Sequence, residues 1–259
     1  MISENNNSVI YSKKLASDVN ALVEGVSSEQ LFILTDEHTK IHCLPILQSE
    51  GAMKNAKVYT MPCGDHYKTI ETVVEIWKFL GENGGTRKSM LINLGGGVVT
   101  DLGGFVANTF KRGIRFINIP TTLLSMVDAA VGGKTGINFN GLKNEIGVIN
   151  PAETVVIYPD FLRSLDTENL LSGYAEMLKH GLLSSEEEMK KLNKFDARKP
   201  DFDLLAELIE TSIEVKANIV KQDPTEKGIR KALNLGHTIG HAFESYSHET
   251  NKPILHGYA

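Results

Sequence analysis

Cysteine is scarce: only Cys43 and Cys63 occur in 259 residues, and they form no C-x-x-C pair. That excludes the paired-cysteine redox and metal motifs and fits a reduced, cytoplasmic protein. Aromatics make up only 7% of the chain, with a single tryptophan, while glycine reaches 23 residues. This balance disfavours a β-sandwich and suits an α/β protein with many strand-to-helix turns. Basic charge is not in excess: the net charge is −5, the sequence pI is near 5.9, and no basic tract occurs, which argues against nucleic acid as a partner. No apolar run is long enough to span a bilayer, and the opening MISENNNSVIYSKK lacks the apolar core of a signal peptide. No internal repeat is present, and no low-complexity tract beyond the Asn-rich start.

What is present is a 41% hydrophobic chain long enough for one large or two ordinary domains. Short apolar runs alternate with helical stretches through the first part. LFILTD (31–36), KVYTMP (57–62), SMLINLGGG (89–97), FINIPTT (116–122) and ETVVIYPD (153–160) read as strands, and KTIETVVEIWKFLGENGG (68–85) as a helix with a glycine stop. This alternation predicts a mostly parallel sheet with helices on its faces. From Asp166 to about Tyr246 only helical patterns occur, including 199–223 after Lys199-Pro200. The boundary expected near residue 160 separates an α/β domain, 1–160, from an all-helical domain, 161–259. The chain stops at Leu255-His256-Gly257-Tyr258-Ala259, which resembles no natural domain end, so the helical domain reads as cut short.

Gly95-Gly96-Gly97-Val98-Val99-Thr100-Asp101-Leu102-Gly103-Gly104 follows a strand and opens a helix. Glycines there let a backbone approach a pyrophosphate, and the helix N-terminus offers N–H groups and a positive dipole end. The dinucleotide fingerprint is incomplete: Thr100 occupies its third glycine position, and Arg115 and Phe116 stand where an acidic residue is expected about 20 positions on. Asp36, ending an earlier strand, is a better acceptor for ribose hydroxyls, with helix capping an equal alternative. A second cluster, Val131 to Gly136, lacks the first glycine of a nucleoside-triphosphate loop.

His237 and His241 are four apart in a helical stretch and share a face. Glu176 shares a face with Lys179 and His180 in an apolar surround, where a carboxylate needs a partner or a metal. With His256 after Pro253-Ile254-Leu255, two imidazoles and one carboxylate with an open position form the ligand set of catalytic zinc. The alternative is that His237 and His241 are satisfied core histidines and Glu176 pairs with Lys179 at i,i+3. His38, His42, His66, His180 and His248 read as surface or core residues.

GGGVVTDLGGFVA, RGIRFINIPTTLLSMVDAAVGGKTGIN, GLKNEIG, SGYAEMLKHG and ALNLGHTIGHAFE, in this order, resemble 3-dehydroquinate synthase, a sugar-phosphate cyclase, from about Phe32 to the last residue. The resemblance implies a Rossmann-like NAD-binding domain followed by a helical metal and substrate domain. It implies zinc, or cobalt, on Glu176, His237 and His256, and moves His241 to the substrate side. It implies NAD contacts from Asp36, Asp65, Lys68, Gly96, Gly97, Asp101, Thr121, Thr122 and the stretch Phe161 to Ser164. Lys134 and Lys143 lie on both the cofactor and the substrate side. Substrate-site positions are Arg112, Asp128, Lys134, Lys143, Asn144, Lys179, Lys216, Arg230, Asn234 and His241. The implied activity converts 3-deoxy-D-arabino-heptulosonate 7-phosphate to 3-dehydroquinate and phosphate by transient oxidation, elimination, re-reduction and aldol closure, in the shikimate pathway, by a cytoplasmic homodimer. The rivals are another sugar-phosphate cyclase, a metal-dependent glycerol or alcohol dehydrogenase, and an inactive NAD-binding fragment.

Overall fold

The computed structural model describes residues 8–250 and 252–259. The Asn-rich start lies outside them, as does the opening of the stretch read for a signal peptide. The side chain of His248 is also outside the description. The chain divides into two compact units. The first runs to Thr121 and resumes at Gly133–Phe161; the second comprises Thr122–Gly132 and Leu162–Ala259.

The first unit contains strands β1 (Ser8–Tyr11), β2 (Leu31–Asp36), β3 (Lys57–Met61), β4 (Met90–Gly95), β5 (Arg115–Pro120), β6 (Lys134–Phe139), β7 (Leu142–Ile149) and β8 (Thr154–Ile157). Its helices are α1 (Leu15–Leu22), α2 (Glu37–His42), α3 (Leu44–Leu47), α4 (Ile70–Glu82) and α5 (Gly97–Thr109). Six strands form one sheet in the order β1-β8-β5-β4-β2-β3, and every pairing is parallel. All six residues of β4 are buried, as are five of the six in β2. Such continuous apolar runs are what a sheet covered on both faces requires. The five strands and the α4 helix expected from the sequence all form, with ends shifted by a few residues. Missed were β1, too short to stand out, and the antiparallel hairpin β6–β7. In the 132–136 glycine cluster, Lys134 opens β6, and β7 rather than a helix follows it. This agrees with the sequence, where the cluster lacks the first glycine of a nucleoside-triphosphate loop.

Helix α5 sits close to the sheet because Gly103 carries no side chain. A Cβ there would lie 2.0 Å from Asn93 Oδ1 and 2.8 Å from Leu34 Cδ2. Asn93 is held in the sheet by its Nδ2 donating to Asn118 Oδ1 at 2.9 Å.

The second unit holds helices α6 (Thr167–Ser184), α7 (Glu186–Lys194), α8 (Phe202–Gln222) and α9 (His237–Glu249), and its described residues contain no strand. Asp166 caps α6 by accepting from Asn169 N at 2.8 Å. Asp201 caps α8, whose buried face carries Leu205, Leu208, Ile209, Ile213 and Ile219, and also Lys216. This unit takes in Thr122–Gly132, far before the boundary expected near residue 160. The reason is close packing on α6: a Cβ at Gly173 would lie 2.4 Å from Leu124 N.

Replacing Gly103 with alanine should destabilise the first unit by about 1–3 kcal/mol, because the new methyl overpacks against Asn93 and Leu34. Urea unfolding measures this; an unchanged midpoint would show that α5 can retreat from the sheet at no cost.

Candidate active site

In the first unit, β2 continues to β3 on one side, and the chain returns to β4 on the other. The carboxyl ends of β2 and β4 thus flank a topological switch point, where parallel sheets open a crevice for ligands. Asp36 ends β2. Its Oδ1 caps α2, accepting from Thr39 N at 2.8 Å and Thr39 Oγ1 at 2.9 Å. The capping reading is therefore realised, and Oδ2 has no hydrogen bond among the described residues. Gly96 precedes α5 with an extended backbone and no side-chain cap, so the first-turn N–H groups of Gly97 onward are not consumed by one. Thr100, in the place of the third fingerprint glycine, folds its hydroxyl back onto Gly97 O at 3.2 Å. Thr121, beyond the end of β5, is buried with its Oγ1 unpartnered among the described residues. An uncapped glycine-opened helix and an orphaned hydroxyl at the switch edge both fit a dinucleotide.

Around this edge lies a polar network. Lys68 is buried, and its Nζ donates to Asp101 Oδ2 and to Asn144 Oδ1, each at 2.5 Å. Asp65 accepts from Asn138 Nδ2 at 3.1 Å and pairs with Lys143 at 3.5 Å. Asn144 takes a left-handed conformation, φ 54°, and donates its N–H to Asn138 Oδ1. Asn138 is the member that sequence reading missed. Lys134 is exposed at the start of β6, and Arg112 is exposed beyond α5. Phe161 is buried against Tyr158. Thr122 and Ser164 belong to the second unit, where Thr122 Oγ1 bonds Ser125 Oγ at 2.9 Å and Ser164 is exposed.

In the second unit Glu176, on α6, lies near His237 and His256, which cluster with a third histidine, His241. His237 opens α9, His241 follows one turn later, and His256 comes from the segment after α9. The imidazoles bring one ligand atom each within 4.8 Å of one another. Glu176 Oε1 is 3.4 Å from His256 Nε2 and 4.0 Å from His237 Nε2. Ligands of a tetrahedral zinc stand about 3.3 Å apart, given bonds of about 2.0–2.1 Å. The three imidazoles form one candidate ligand set, Glu176 approaches two of them, and Glu176 also lies in a second candidate set with Asp128 and His180. His237 Nδ1 donates to Leu235 O at 3.3 Å, which leaves Nε2 as the ligand atom. His256 Nδ1 faces Glu244 Oε2 at 3.2 Å, again leaving Nε2 to the cluster. This donor set and its outer hydrogen bonds fit a divalent metal. Without one, hydrogen bonds to Glu176 and Glu244 lift His256 to about pKa 9. Burial pushes Glu176 up, but His256 and Lys179 outweigh it and hold the carboxyl below its ordinary range.

Beside this cluster, Lys179, Lys216 and Arg230 are 8%, 6% and 2% exposed, values rare for cations. Lys179 Nζ bonds Glu176 Oε2. Lys216 Nζ bonds Asp128 Oδ1 at 2.6 Å and also the Asp128 carbonyl. Burial would raise Asp128, yet Lys216 and Lys179 hold it well below the usual carboxylate range. Burial lowers both Lys216 and Arg230. Arg230 spends its guanidinium on Pro224 O and Gly132 O, at 2.8 and 2.9 Å. Asn234 is exposed and donates to Glu226 Oε1 at 2.5 Å. His180 is buried, with Nδ1 2.7 Å from Ser212 Oγ and Nε2 without a partner among the described residues; burial pushes it down to about pKa 4.

A parallel switch-point sheet joined to this helical unit is the fold of the sugar-phosphate cyclases. Two solved structures share it: a 2-epi-5-epi-valiolone synthase from Streptomyces hygroscopicus with NAD+ and Zn2+ bound, and a 2-deoxy-scyllo-inosose synthase complexed with carbaglucose-6-phosphate, NAD+ and Co2+. The first has a TM-score of 0.84 and 25% identity over 99% of this chain and 72% of its own. The second has a TM-score of 0.81 and 24% identity over 96% and 69%. Family models for the 3-dehydroquinate synthase N-terminal and C-terminal regions match residues 58–172 and 173–259. A 3-dehydroquinate synthase of Parabacteroides distasonis is 52% identical over 97% of this chain and 71% of its own length, and one of Clostridium tetani is 41% identical over 90% and 62%. The chain belongs to the 3-dehydroquinate synthase family.

Two outcomes test the cluster. A Cβ at Gly257 would lie 2.1 Å from Ser172 O, so Gly257→Ala should displace His256 and weaken zinc binding at least tenfold in a chelator competition. Metal binding near pH 7 should release about one proton, because His256 is protonated in the metal-free protein and must give up its Nε2 proton to bind. Calorimetry in buffers of different ionisation enthalpy reads this, and a proton count near zero would place the metal elsewhere.

Proposed function

We propose that this chain catalyses its family's reaction, the conversion of 3-deoxy-D-arabino-heptulosonate 7-phosphate to 3-dehydroquinate and phosphate, as an NAD- and zinc-dependent lyase. The observation that carries this reading is the convergence of Glu176, His237 and His256 next to buried Lys179 and Lys216. NAD and a divalent metal are carried over from the two structural relatives, and the activity from the synthases of the family. The chain spans 71% of the Parabacteroides relative and 62% of the Clostridium one, so the whole enzyme's activity stands as a proposal.

The first unit would hold the dinucleotide, with its pyrophosphate at Gly96 and Gly97, its ribose at Asp36, and Thr121 Oγ1 as a further donor. Glu176, His237 and His256 would hold the metal. When bound, the metal supplies Lewis acidity at a substrate hydroxyl and the dinucleotide supplies reversible hydride acceptance. The substrate carries a carboxylate and a phosphate, and an acidic protein needs a local cationic region to bind it. Lys179, Lys216 and Arg230 provide one, pre-ordered by Glu176, Asp128 and two backbone carbonyls. His241, whose Nε2 is 4.0 Å from Glu244 Oε2, is placed to hold or pass a proton at the cluster. The leaving phosphate's own oxygen serves as base for the adjacent C–H. Holding one flexible intermediate through elimination, ring opening and aldol closure makes these steps unimolecular. Cytoplasmic location and a homodimer belong to the same proposal; no helix among the described residues is long and apolar enough to cross a membrane.

With the heptulosonate phosphate and NAD, phosphate release should match dehydroquinate formation with no net NADH. A strong chelator should abolish turnover and leave NAD affinity within about twofold, because Asp36, Gly96, Gly97 and Thr121 belong to the first unit and the metal ligands to the second. Net NADH from a simple polyol without phosphate release would assign the chain to the dehydrogenases instead.

A further inference from the structure

Glu244 is one of the most deeply buried carboxylates in the second unit, at 4% exposure, and has no role in the reading above beyond its proximity to His241 and His256. It lies on α9, three residues after His241 and seven after His237, and so on the same helix face as both. Its Oε2 is 3.2 Å from His256 Nδ1 and 4.0 Å from His241 Nε2. On the other side of the same ring, His256 Nε2 is 3.4 Å from Glu176 Oε1. The imidazole is clamped between two buried carboxylates that contact its two nitrogens.

The surrounding backbone leads His256 to this place. Ser247, one turn after Glu244, donates its hydroxyl to Glu244 O and accepts from Ile254 N at 3.2 Å. Ser247 O accepts from Lys252 N at 2.9 Å. On the far side, Gly257 N donates to Ser172 Oγ at 2.9 Å. The segment is therefore fastened on both sides of His256, and only the ring's rotation and tautomer remain to be set. A carboxylate at Nδ1 sets both, because it accepts only when the proton is on Nδ1.

We propose that Glu244 is a positioning residue for the metal site: by accepting from His256 Nδ1 it fixes the ring's orientation, keeps the Nε2 lone pair toward Glu176 and His237, and makes Nε2 a stronger donor to a divalent cation. This rests on the reading of Glu176, His237 and His256 as the metal ligands. A carboxylate behind a ligating imidazole is worth 10- to 100-fold in metal affinity.

The test uses the full chain freed of metal, with Co2+ as probe. Affinity is read by competition with a chromophoric chelator, and geometry by the d–d absorption of the bound ion. Glu244→Ala and Glu244→Met remove the acceptor by truncation and by a near-isosteric side chain, so that one folded variant suffices. Each should bind Co2+ 10- to 100-fold more weakly than wild type and show a shifted d–d spectrum. Glu244→Gln keeps an acceptor of the same length and should restore the wild-type spectrum and most of the affinity. NAD affinity should be unchanged in all three. His256→Ala is the control for the site itself. If wild type binds Co2+, His256→Ala loses it, and the folded Glu244→Met or Glu244→Ala variant retains wild-type affinity and spectrum, the role of Glu244 is overturned while the metal site stands. If wild type binds no Co2+, or His256→Ala binds as well as wild type, both readings fall together.

Discussion

The constraint that governs the second unit is the burial of charge. Glu176, Lys179, Lys216, Arg230 and Glu244 are all nearly removed from water, with half-buried Asp128 among them. An ion withdrawn from water costs several kcal/mol unless it is paired and hydrogen-bonded. Each of these groups meets that demand through another: Lys179 with Glu176, Lys216 with Asp128, Glu244 with His256, and Arg230 with two carbonyls. The pairs are not independent. Glu176 uses one oxygen on a lysine and the other toward His256, so a change at any member alters the electrostatics of the rest. Hydrophobic packing alone would be served by leucines at these positions, and residue 216 lies on the apolar face of α8. Cations there suit the anionic substrate of the proposed reaction.

Much of the first unit was legible from apolar runs, because a parallel sheet covered on both faces leaves strands that are apolar along their whole length. LFILTD and SMLINLGGG are such runs, and both lie deep in the sheet. The hairpin β6–β7 was not legible. One of its strands has mostly exposed positions, and its glycines mimic a loop. Nor did any local signal show that Thr122–Gly132 clusters with the helices. That placement follows from the fit of Gly173 against Leu123 and Leu124, a contact some 50 residues apart in sequence.

The site divides in the same way. Glu176, His237 and His256 were nominated from residue type, from family motifs and from their surroundings, and the structure gathers them. Spacing on a helix could not decide between His241 and Glu176, since both reach the shared pair His237 and His256. Lys68, Asp101 and Asn144 come together from three separate segments, which no single motif announces. Asn234, grouped with His241 on motif grounds, is occupied by Glu226, and Arg112 is exposed. Glu244 had a usable signal: it follows His237 and His241 at seven and three residues, which repeats one helical face.

Helix α6 has a further property. Ser172 and Glu176 are four residues apart and so share one face of it. Glu176 supplies an anionic contact to the cluster directly, while Ser172 pins Gly257, the residue after His256. One rigid rod thus carries both a ligand and the peg that locates another ligand 80 positions away in the chain. The same segment is tied to α9 through Ser247, so a slide or tilt of α6 against α9 acts on both ends of the chain that carries His256. The cluster then rests on two carriers, α6 and α9, with the His256 segment bridging them, and its geometry depends on one helix–helix interval rather than on four separate side chains.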